Sequence, residues 1–340
     1  MRDKAEPYRL WCERSLPPEY TPLLEALAVY AGTASASPDA PLSALPGAHA
    51  IIASSRIRYD GALMDRVPTL RVISRTGIGV DNISIPDATA RGIAVCNVPD
   101  GPTISTAEHA IALMLAAAKQ LKQSEIALRR GENRELFNDY QGREVFGLRL
   151  AVIGLGRIGS RVAQIASALG MQVIGYDPYL SAERAAAVGV ERVLTLQSAL
   201  ETADIVSLHV PWTNETWHLI DATRLAQMKR GAILVNTARG GLVDEAALLG
   251  ALESGHLRGA GLDVFESEPP PPDNPLLHRE DVIATPHIAS ATGASKDRLW
   301  RGAIAQALQV LRGERPPYLV NPEVWPVHAD DEHRRFRTTG

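Results

Sequence analysis

Residues 148–177 read LRLAVIGLGRIGSRVAQIASALGMQVIGYD, and this stretch decides the fold. The apolar run 148–153 is typical of a buried β-strand and leads directly into a glycine-rich turn. Apolar residues then recur at helical spacing over 158–169, and a second apolar run, 172–176, follows. The turn is a G-x-G-x-x-G sequence formed by Gly154, Gly156 and Gly159. The stretch therefore predicts a strand, a tight turn, a helix and a second strand.

This order of elements is typical of dinucleotide binding. Glycines let the turn bring its backbone close to a pyrophosphate, and the amides at the start of the helix face the phosphates. Asp177 ends the second run, where a carboxylate accepts hydrogen bonds from both hydroxyls of an adenosine ribose and repels a 2′-phosphate. Residues 178–180 contain no Lys or Arg. A glycine turn alone would indicate only a structural turn, but the full pattern predicts NAD rather than NADP.

Length and composition exclude several classes of protein. The chain has 340 residues, enough for two domains, and its net charge of −4 gives no basic surface for nucleic acid. Its two cysteines, Cys12 and Cys96, suggest neither a disulfide framework nor a zinc site. The N-terminus has no apolar signal core, since it opens with the charged residues Arg2, Asp3, Lys4 and Glu6. The apolar run 110–118 is too short to cross a bilayer. We expect a cytoplasmic protein without a membrane partner.

Alternating β-type and helical segments predict an α/β fold. From residue 148 the alternation is regular, which predicts a doubly wound parallel sheet. The turn-rich segment 97–102 marks a domain boundary, and Ser105 and Glu108 have capping-box spacing ahead of a helix that extends to about Leu121. Further strands are predicted at 50–53, 70–74, 93–98, 205–208, 232–235, 260–262 and 282–284, and a last helix at 293–311.

Three polar residues follow predicted strands, where open parallel sheets bind their ligands. Arg239 offers a planar guanidinium that can clamp a carboxylate and polarise a carbonyl. His287 can donate a proton to a carbonyl oxygen, and a carboxylate such as Glu268 beside it would orient the ring and favour its charged form. Alone, each residue has a structural alternative: a solvated arginine, an exposed loop acid and a strand-end histidine. No other histidine has metal-ligand spacing, so no metal site is predicted.

Six ordered motifs resemble those of the D-isomer-specific 2-hydroxyacid dehydrogenases, most closely the branch of the D-3-phosphoglycerate dehydrogenases and glyoxylate/hydroxypyruvate reductases. The motifs are RTGIGVDN (75–82), NVPDGPTISTAEHAIA (97–112), VIGLGRIG (152–159), NTARGGLVD (236–244), GLDVFESEP (261–269) and TPHIA (285–289). The resemblance implies a Rossmann-type NAD-binding domain, residues 103–288, inserted into a smaller flavodoxin-like substrate domain made of residues 1–102 and 289–340.

The resemblance also assigns roles to single residues. It implies that Arg239 binds the substrate carboxylate and carbonyl, that His287 transfers the proton and that Glu268 supports His287. Backbone amides of Arg75, Thr76 and Gly77 would meet the substrate carboxylate. The implied cofactor contacts are Arg157 and Ile158 at the phosphates, Asp177 at the ribose, Val210 on the adenine side, and Thr237 and Asp263 near the nicotinamide.

The resemblance bears on assembly as well. Family members are commonly dimers that pair through the cofactor domains, so a homodimer is expected. The chain ends soon after the last motif, so we expect it to lack the C-terminal amino-acid-sensing domain of longer phosphoglycerate dehydrogenases. The polar tail 328–340 is expected to be mobile or bound to the surface.

Departures from the family pattern narrow the substrate. Phosphoglycerate-oxidising relatives carry an Arg where this chain has Ser54, with Arg56 and Arg58 only shortly beyond, which disfavours phosphoglycerate. Formate dehydrogenases of the superfamily have Gln at the position of Glu268, which disfavours formate as the substrate. Relatives that oxidise phosphonate or phosphite have Lys at the position of Ile78, which disfavours those substrates as well.

We therefore expect an NAD(H)-dependent oxidoreductase that interconverts a small D-2-hydroxy acid and its 2-keto acid, of the glyoxylate/hydroxypyruvate type rather than 3-phosphoglycerate. The alternative is an NAD(H)-sensing binding protein, as in the transcriptional corepressors that share this fold and keep the same three residues. Steady-state turnover separates the two.

Overall fold

The computed structural model describes residues 6–25, 27–34, 42, 45–132, 135, 138–139 and 141–326. The tail predicted to be mobile lies outside these residues.

Within the described residues the chain forms twelve strands, which are β1 (Tyr8–Cys12), β2 (Ala28–Thr33), β3 (Ala50–Ala53), β4 (Val72–Arg75), β5 (Ala94–Cys96), β6 (Arg149–Ile153), β7 (Gln172–Tyr176), β8 (Glu191–Arg192), β9 (Ile205–Leu208), β10 (Ala232–Asn236), β11 (Leu257–Leu262) and β12 (Val282–Ala284). The α-helices in the same part of the chain are α1 (Gly61–Asp65), α2 (Ile85–Ala90), α3 (Thr103–Ala118), α4 (Leu121–Arg129), α5 (Arg157–Ala168), α6 (Ala182–Val188), α7 (Leu196–Thr202), α8 (Ala222–Gln227), α9 (Glu245–Glu253), α10 (Pro275–His278) and α11 (Gly293–Leu311). Short 3-10 helices span Pro18–Leu24, Gly240–Leu242 and Pro322–Val324.

The chain divides into two compact units. The first is drawn from the residues up to Pro102 and from Thr292 onward, and the second spans Thr103–Ala291. The boundary predicted from the sequence lies at 288/289, and the predicted roles of the two units are substrate binding and cofactor binding. That functional division remains a prediction.

The first unit contains a five-stranded sheet with the order β2-β1-β3-β4-β5, in which every neighbouring pair is parallel. This is the flavodoxin-like strand order. Leu10 and Cys12 of β1 pack with Trp300 and Ile304 of α11 on one face of the sheet, while Trp11 packs in a separate core on the other face. Because β1 is buried on both faces, its sequence lacks the polar alternation that marks a half-buried strand. Neither β1 nor the edge strand β2 was predicted from the sequence.

The second unit contains a seven-stranded sheet with the order β12-β11-β10-β9-β6-β7-β8, again with every neighbouring pair parallel. The strand order reverses between β6 and β9, and open sheets of this kind bind ligands beyond the carboxyl ends of the strands at that point. Apolar cores cover both faces. The predicted α/β class with a Rossmann-type doubly wound sheet is confirmed.

Most predicted elements of the second unit have the expected limits, but the start of α3 does not. The helix begins at Thr103, directly after Pro102, so Ser105 lies in its first turn and the predicted N-cap at Ser105 is wrong. It also ends at Ala118, because Gln120 takes a left-handed conformation with φ 55° before α4 begins. No helix among the described residues is both long enough and apolar enough to span a membrane.

Candidate active site

The glycine turn after β6 is packed so closely that two of its three glycines admit no side chain. A Cβ on Gly159 would lie 1.9 Å from the Gly154 carbonyl oxygen, and one on Gly154, where φ is +91°, would lie 2.6 Å from the His209 carbonyl oxygen. A Cβ on Gly156 would meet nothing within 4 Å. Helix α5 begins at the next residue, Arg157, without a side-chain cap. The turn thus leaves open space where helix amides attract an anion, as a pyrophosphate cradle requires.

Two other predicted cofactor residues, Asp177 and Val210, lie beside this turn. Asp177 accepts hydrogen bonds from the amides of Leu155 and Tyr179, both at 2.9 Å, which fixes its carboxylate beside the turn. The Val210 side chain comes within 2.8 Å of the Cβ position of Gly154. The Thr237 hydroxyl is buried without a hydrogen-bond partner among the described residues. An unsatisfied buried hydroxyl, a fixed carboxylate and an open glycine turn fit a bound dinucleotide.

The side chains of His287 and Glu268 are hydrogen-bonded to each other. The His287 Nδ1 atom lies 2.7 Å from the Glu268 Oε2 atom, and the His287 side chain is 49% exposed. Because the carboxylate holds Nδ1, the Nε2 atom is the ring nitrogen available on the opposite side. His287 also has a φ of 54°, a left-handed conformation that side chains rarely adopt, and its amide donates to the Asp263 carbonyl at 2.7 Å.

Glu268 remains ionised in this setting. Burial by itself would raise its pKa, but the hydrogen bond and charge of His287, the Phe265 amide and the Arg239 charge together lower the pKa of Glu268 below its ordinary value. The Phe265 amide donates to Oε1 at 3.3 Å. The Arg239 charge makes the smallest of these contributions to the lowered pKa of Glu268.

Arg239 is positioned by the loop that follows β10. The Asn236 side chain accepts from the Ala238 amide at 3.0 Å and donates to the Arg239 carbonyl at 2.8 Å, so the loop turns back on its own strand. A Cβ on Gly240 would lie 1.9 Å from the Phe265 carbonyl carbon. The glycine therefore lets the Arg239 loop touch the backbone that leads to Glu268.

Asp263 holds the segment that carries His287. Its carboxylate is fully buried and accepts from the Thr285 hydroxyl at 2.6 Å and from the amides of Ile288 and Ala289 at 2.9 and 2.8 Å. His109 of α3 joins this group through Thr285 at 2.9 Å. The resemblance placed Asp263 near the nicotinamide, and no role was predicted for His109. Neither the buried network nor the approach of α3 can be read from the sequence. The predicted cofactor contact of Asp263 remains a prediction.

The predicted carboxylate-binding residues lie in the first unit, at the carboxyl end of β4. Thr76 directs both its amide, at 2.9 Å, and its hydroxyl, at 3.0 Å, to the Ala53 carbonyl. The Arg75 guanidinium donates to the Thr76 carbonyl at 2.8 Å and lies against Gly77. Thr76 therefore connects β4 to β3, and the amide that the resemblance assigned to the substrate donates to Ala53 instead.

His209, unlike the half-exposed His287, is a buried histidine. Burial lowers the pKa of His209 to about 4, so this histidine, bonded to Ser207 at 2.8 Å behind the glycine turn, is neutral near pH 7.

No group of three or more His, Cys, Asp or Glu side chains that could hold a metal ion occurs within the part of the chain that the structure describes.

Comparison with known proteins identifies the family. Residues 111–289, more than half of the chain, match the family described as D-isomer specific 2-hydroxyacid dehydrogenase, NAD binding domain. The chain belongs to the D-isomer-specific 2-hydroxyacid dehydrogenase family. Its second unit accordingly contains the NAD-binding domain of the family, and the predicted cofactor is confirmed.

Relatives within the family carry different activities in their names. The chain is 43% identical over 270 residues to a glyoxylate reductase of Korarchaeum cryptofilum, covering 79% of this chain and 81% of that protein. It is 44% identical over 280 residues to a D-3-phosphoglycerate dehydrogenase of Mycobacterium tuberculosis, covering 82% of this chain and 52% of that protein. The chain thus spans about half the length of the phosphoglycerate dehydrogenases that it matches.

Solved structures of the 2-hydroxyacid dehydrogenase fold include one with its ligands. The D-lactate dehydrogenase of Aquifex aeolicus, complexed with NAD and lactic acid, superimposes with a TM-score of 0.80 at 32% identity, covering 92% of this chain and 99% of that one. The names of these relatives agree on the family and differ on the substrate.

Proposed function

We propose that this protein is an NAD(H)-dependent oxidoreductase that interconverts a small D-2-hydroxy acid and its 2-keto acid. The observation that carries the proposal is the His287–Glu268 pair, joined at 2.7 Å, with the Arg239 charge beside it in the NAD-binding unit of this family. A proton donor, a carboxylate that orients it and a guanidinium for the substrate are the groups that carbonyl reduction needs from the protein.

Each residue of this cluster has a distinct role in the proposed reaction. NADH, held by the glycine turn and Asp177, would supply the hydride that reduces the carbonyl carbon. The His287 Nε2–H donates the proton to the carbonyl oxygen, and Glu268 keeps the ring oriented through Nδ1. The Arg239 guanidinium pairs with the substrate carboxylate and polarises the carbonyl, which stabilises the negative charge that develops on its oxygen.

In this proposal the segment that follows β4 provides a second contact to the substrate carboxylate. We assign that contact to the Gly77 amide, since the Thr76 amide and hydroxyl both donate to Ala53. Arg75 and Thr76 then act as positioning residues that fix the backbone at Gly77.

Unphosphorylated substrates fit the loop after β3 better than phosphorylated ones. Ser54, the first residue of this loop, is a small side chain and is 7% exposed. The neighbouring Arg56 and Arg58 are exposed, but Ser54 itself presents no cation. We therefore place glyoxylate and hydroxypyruvate ahead of the phosphorylated acid.

A substrate panel tests the proposal. We expect NADH oxidation with glyoxylate, hydroxypyruvate or pyruvate, and a preference for NADH over NADPH because Asp177 repels a 2′-phosphate. If well-folded protein binds NADH but turns over none of these acids, the enzyme is rejected. NADH-dependent association with a partner chain would then favour a sensing role.

We also propose a homodimer formed through the second unit. Apolar side chains of α3 and α4 are exposed there, namely Ile104, Leu121 and Leu128. Exposed apolar groups of this kind are typical of a protein contact surface. Light scattering after size-exclusion chromatography should give twice the 36.6 kDa of the chain. A mass equal to one chain at micromolar concentration would contradict the dimer.

A further inference from the structure

The first unit buries a carboxylate at the carboxyl edge of its sheet. Glu13 directly follows β1 and is 4% exposed. Its two oxygens accept five hydrogen bonds, all from the loop that follows β3. The donors are the amides of Ser54 (2.7 Å), Arg56 (2.7 Å) and Ile57 (3.2 Å), the Ser54 hydroxyl, and the Tyr59 hydroxyl (2.8 Å).

Three amides of one short loop converge on this carboxylate. Successive backbone N–H groups that point into one concavity form an anion-binding nest. Here the chain fills the nest with its own side chain. Burial, and then the charge of Glu13, raise the pKa of Tyr59, so the phenol stays protonated and acts as a donor to the carboxylate. Hydrogen bonds from every side are what make a buried carboxylate tolerable.

The loop over Glu13 is tied to the segment that carries Gly77. The Asn82 side chain donates to the carbonyls of Ser54 at 2.9 Å and Ile57 at 2.7 Å. Ala53, the residue before the loop, accepts both donors of Thr76. The charge of Glu13 therefore lies under a loop that is linked on both sides to the proposed carboxylate-binding segment.

We infer that Glu13 is a specificity-determining positioning residue, whose carboxylate occupies the anion site of loop 54–57 and so selects 2-keto acids that carry no second anionic group. The inference rests on the proposed function and names its substrate class. The loop amides already donate to Glu13, so they are not available to a substrate phosphate. A phosphorylated substrate would meet the negative charge of Glu13 there instead of a cation. In a partly buried setting such like-charge repulsion changes discrimination by about tenfold or more.

Removal of the charge at constant shape tests the substrate class. We would measure kcat/KM for hydroxypyruvate and for its 3-phosphorylated form in the wild type and in Glu13→Gln. The ratio of phosphorylated to unphosphorylated activity should rise about tenfold or more, mainly through the KM of the phosphorylated acid. The matched control is Glu19→Gln, because Glu19 lies in the same unit, has a 54% exposed side chain and pairs with Lys296. An unchanged ratio in Glu13→Gln overturns the inference.

A second variant tests the anion site without turnover. Glu13→Ala empties the nest, and we expect its Tm to fall by roughly 5 °C or more. Sodium formate should then raise the Tm of Glu13→Ala in a saturable way, above the effect of sodium chloride at equal ionic strength and above the response of the wild type. An equal response of the two proteins shows that the amides form no anion site and overturns the inference.

The two experiments separate the inference from the proposed function. Absence of turnover in every variant rejects the proposed function and, with it, the substrate class assigned to Glu13. The formate response then still decides whether Glu13 fills an anion site.

Discussion

At the scale of single residues, the chemistry depends on the contact between His287 and Glu268. His287 has a left-handed φ of 54°, and three sets of hydrogen bonds hold it in this conformation. Its ring is bonded to Glu268, and its amide donates to the Asp263 carbonyl. The amides of the two residues that follow donate to the Asp263 carboxylate. An unfavourable backbone conformation persists only where its surroundings fix it, and such positions cluster at functional sites. The strain therefore agrees with the role proposed for His287.

Replacement of Glu268 should change the pH dependence of the reaction. The pKa of Glu268 is below its ordinary value of about 4.3, so its contribution is complete near neutral pH and is lost only as the pH falls through that lowered pKa. Glu268→Gln cannot titrate, so we expect kcat to fall roughly tenfold or more and the part of the acid-side decline that comes from Glu268 to disappear.

The measurement is kcat and kcat/KM from pH 8 down to the lowest pH at which circular dichroism shows that the protein is still folded. Glu266→Gln is the matched control, since Glu266 lies two residues away, pairs with His218 at 3.0 Å and has no assigned role in the reaction. An identical acid-side profile in the wild type and in Glu268→Gln would refute the role of Glu268.

The sequence predicted these catalytic candidates but not the residues that support them. Arg239, Glu268 and His287 follow strands of one parallel sheet, and the carboxyl ends of such strands meet at one edge. His109 comes from a helix far away in the chain and reaches Thr285 only because α3 packs against that sheet. No local pattern encodes such a contact.

At the scale of elements, the glycine turn is the part best encoded in the sequence. Its strand, turn and helix are consecutive, so the spacing of three glycines and of the apolar residues suffices to predict it. The buried strand β1 and the edge strand β2, whose side chains are mostly not buried, gave no such signal, since neither shows the polar alternation of a half-buried strand. Local periodicity thus accounts for what was predicted and for what was missed.

Two alanine substitutions in the glycine turn should fail in different ways. In Gly159→Ala the new Cβ would lie 1.9 Å from backbone, so we expect a fall in Tm of several degrees together with loss of NADH binding. In Gly156→Ala the new Cβ enters open space, so Tm should stay near that of the wild type while the Kd for NADH rises about tenfold or more. Thermal unfolding and NADH fluorescence titration measure both. A Gly156→Ala protein that binds NADH as tightly as the wild type would show that the pyrophosphate does not lie over this turn.

At the scale of the whole molecule, the candidate residues of both units follow one rule, that parallel sheets bind ligands at the carboxyl ends of their strands. Each unit is a parallel sheet, and in each the candidate residues stand at the carboxyl ends of strands: Glu13, Ser54 and Thr76 in the first, Asp177, Arg239 and His287 in the second. The chain enters the second unit after Pro102 and returns to the first at Thr292, where α11 completes the core of the first sheet. The sequence indicated this alternation, but the partners of α11 depend on pairing between the two ends of the chain, which periodicity cannot show.

The most direct test of the central claim, that a bound keto acid receives its proton from His287, compares the wild type with His287→Asn. Asparagine tolerates a left-handed backbone, so the substitution removes the imidazole with little added strain. We predict that NADH binds both proteins with similar Kd, while kcat with the best 2-keto acid of the panel falls about a hundred- to ten-thousand-fold in the variant. Equal kcat in the two proteins would contradict the account.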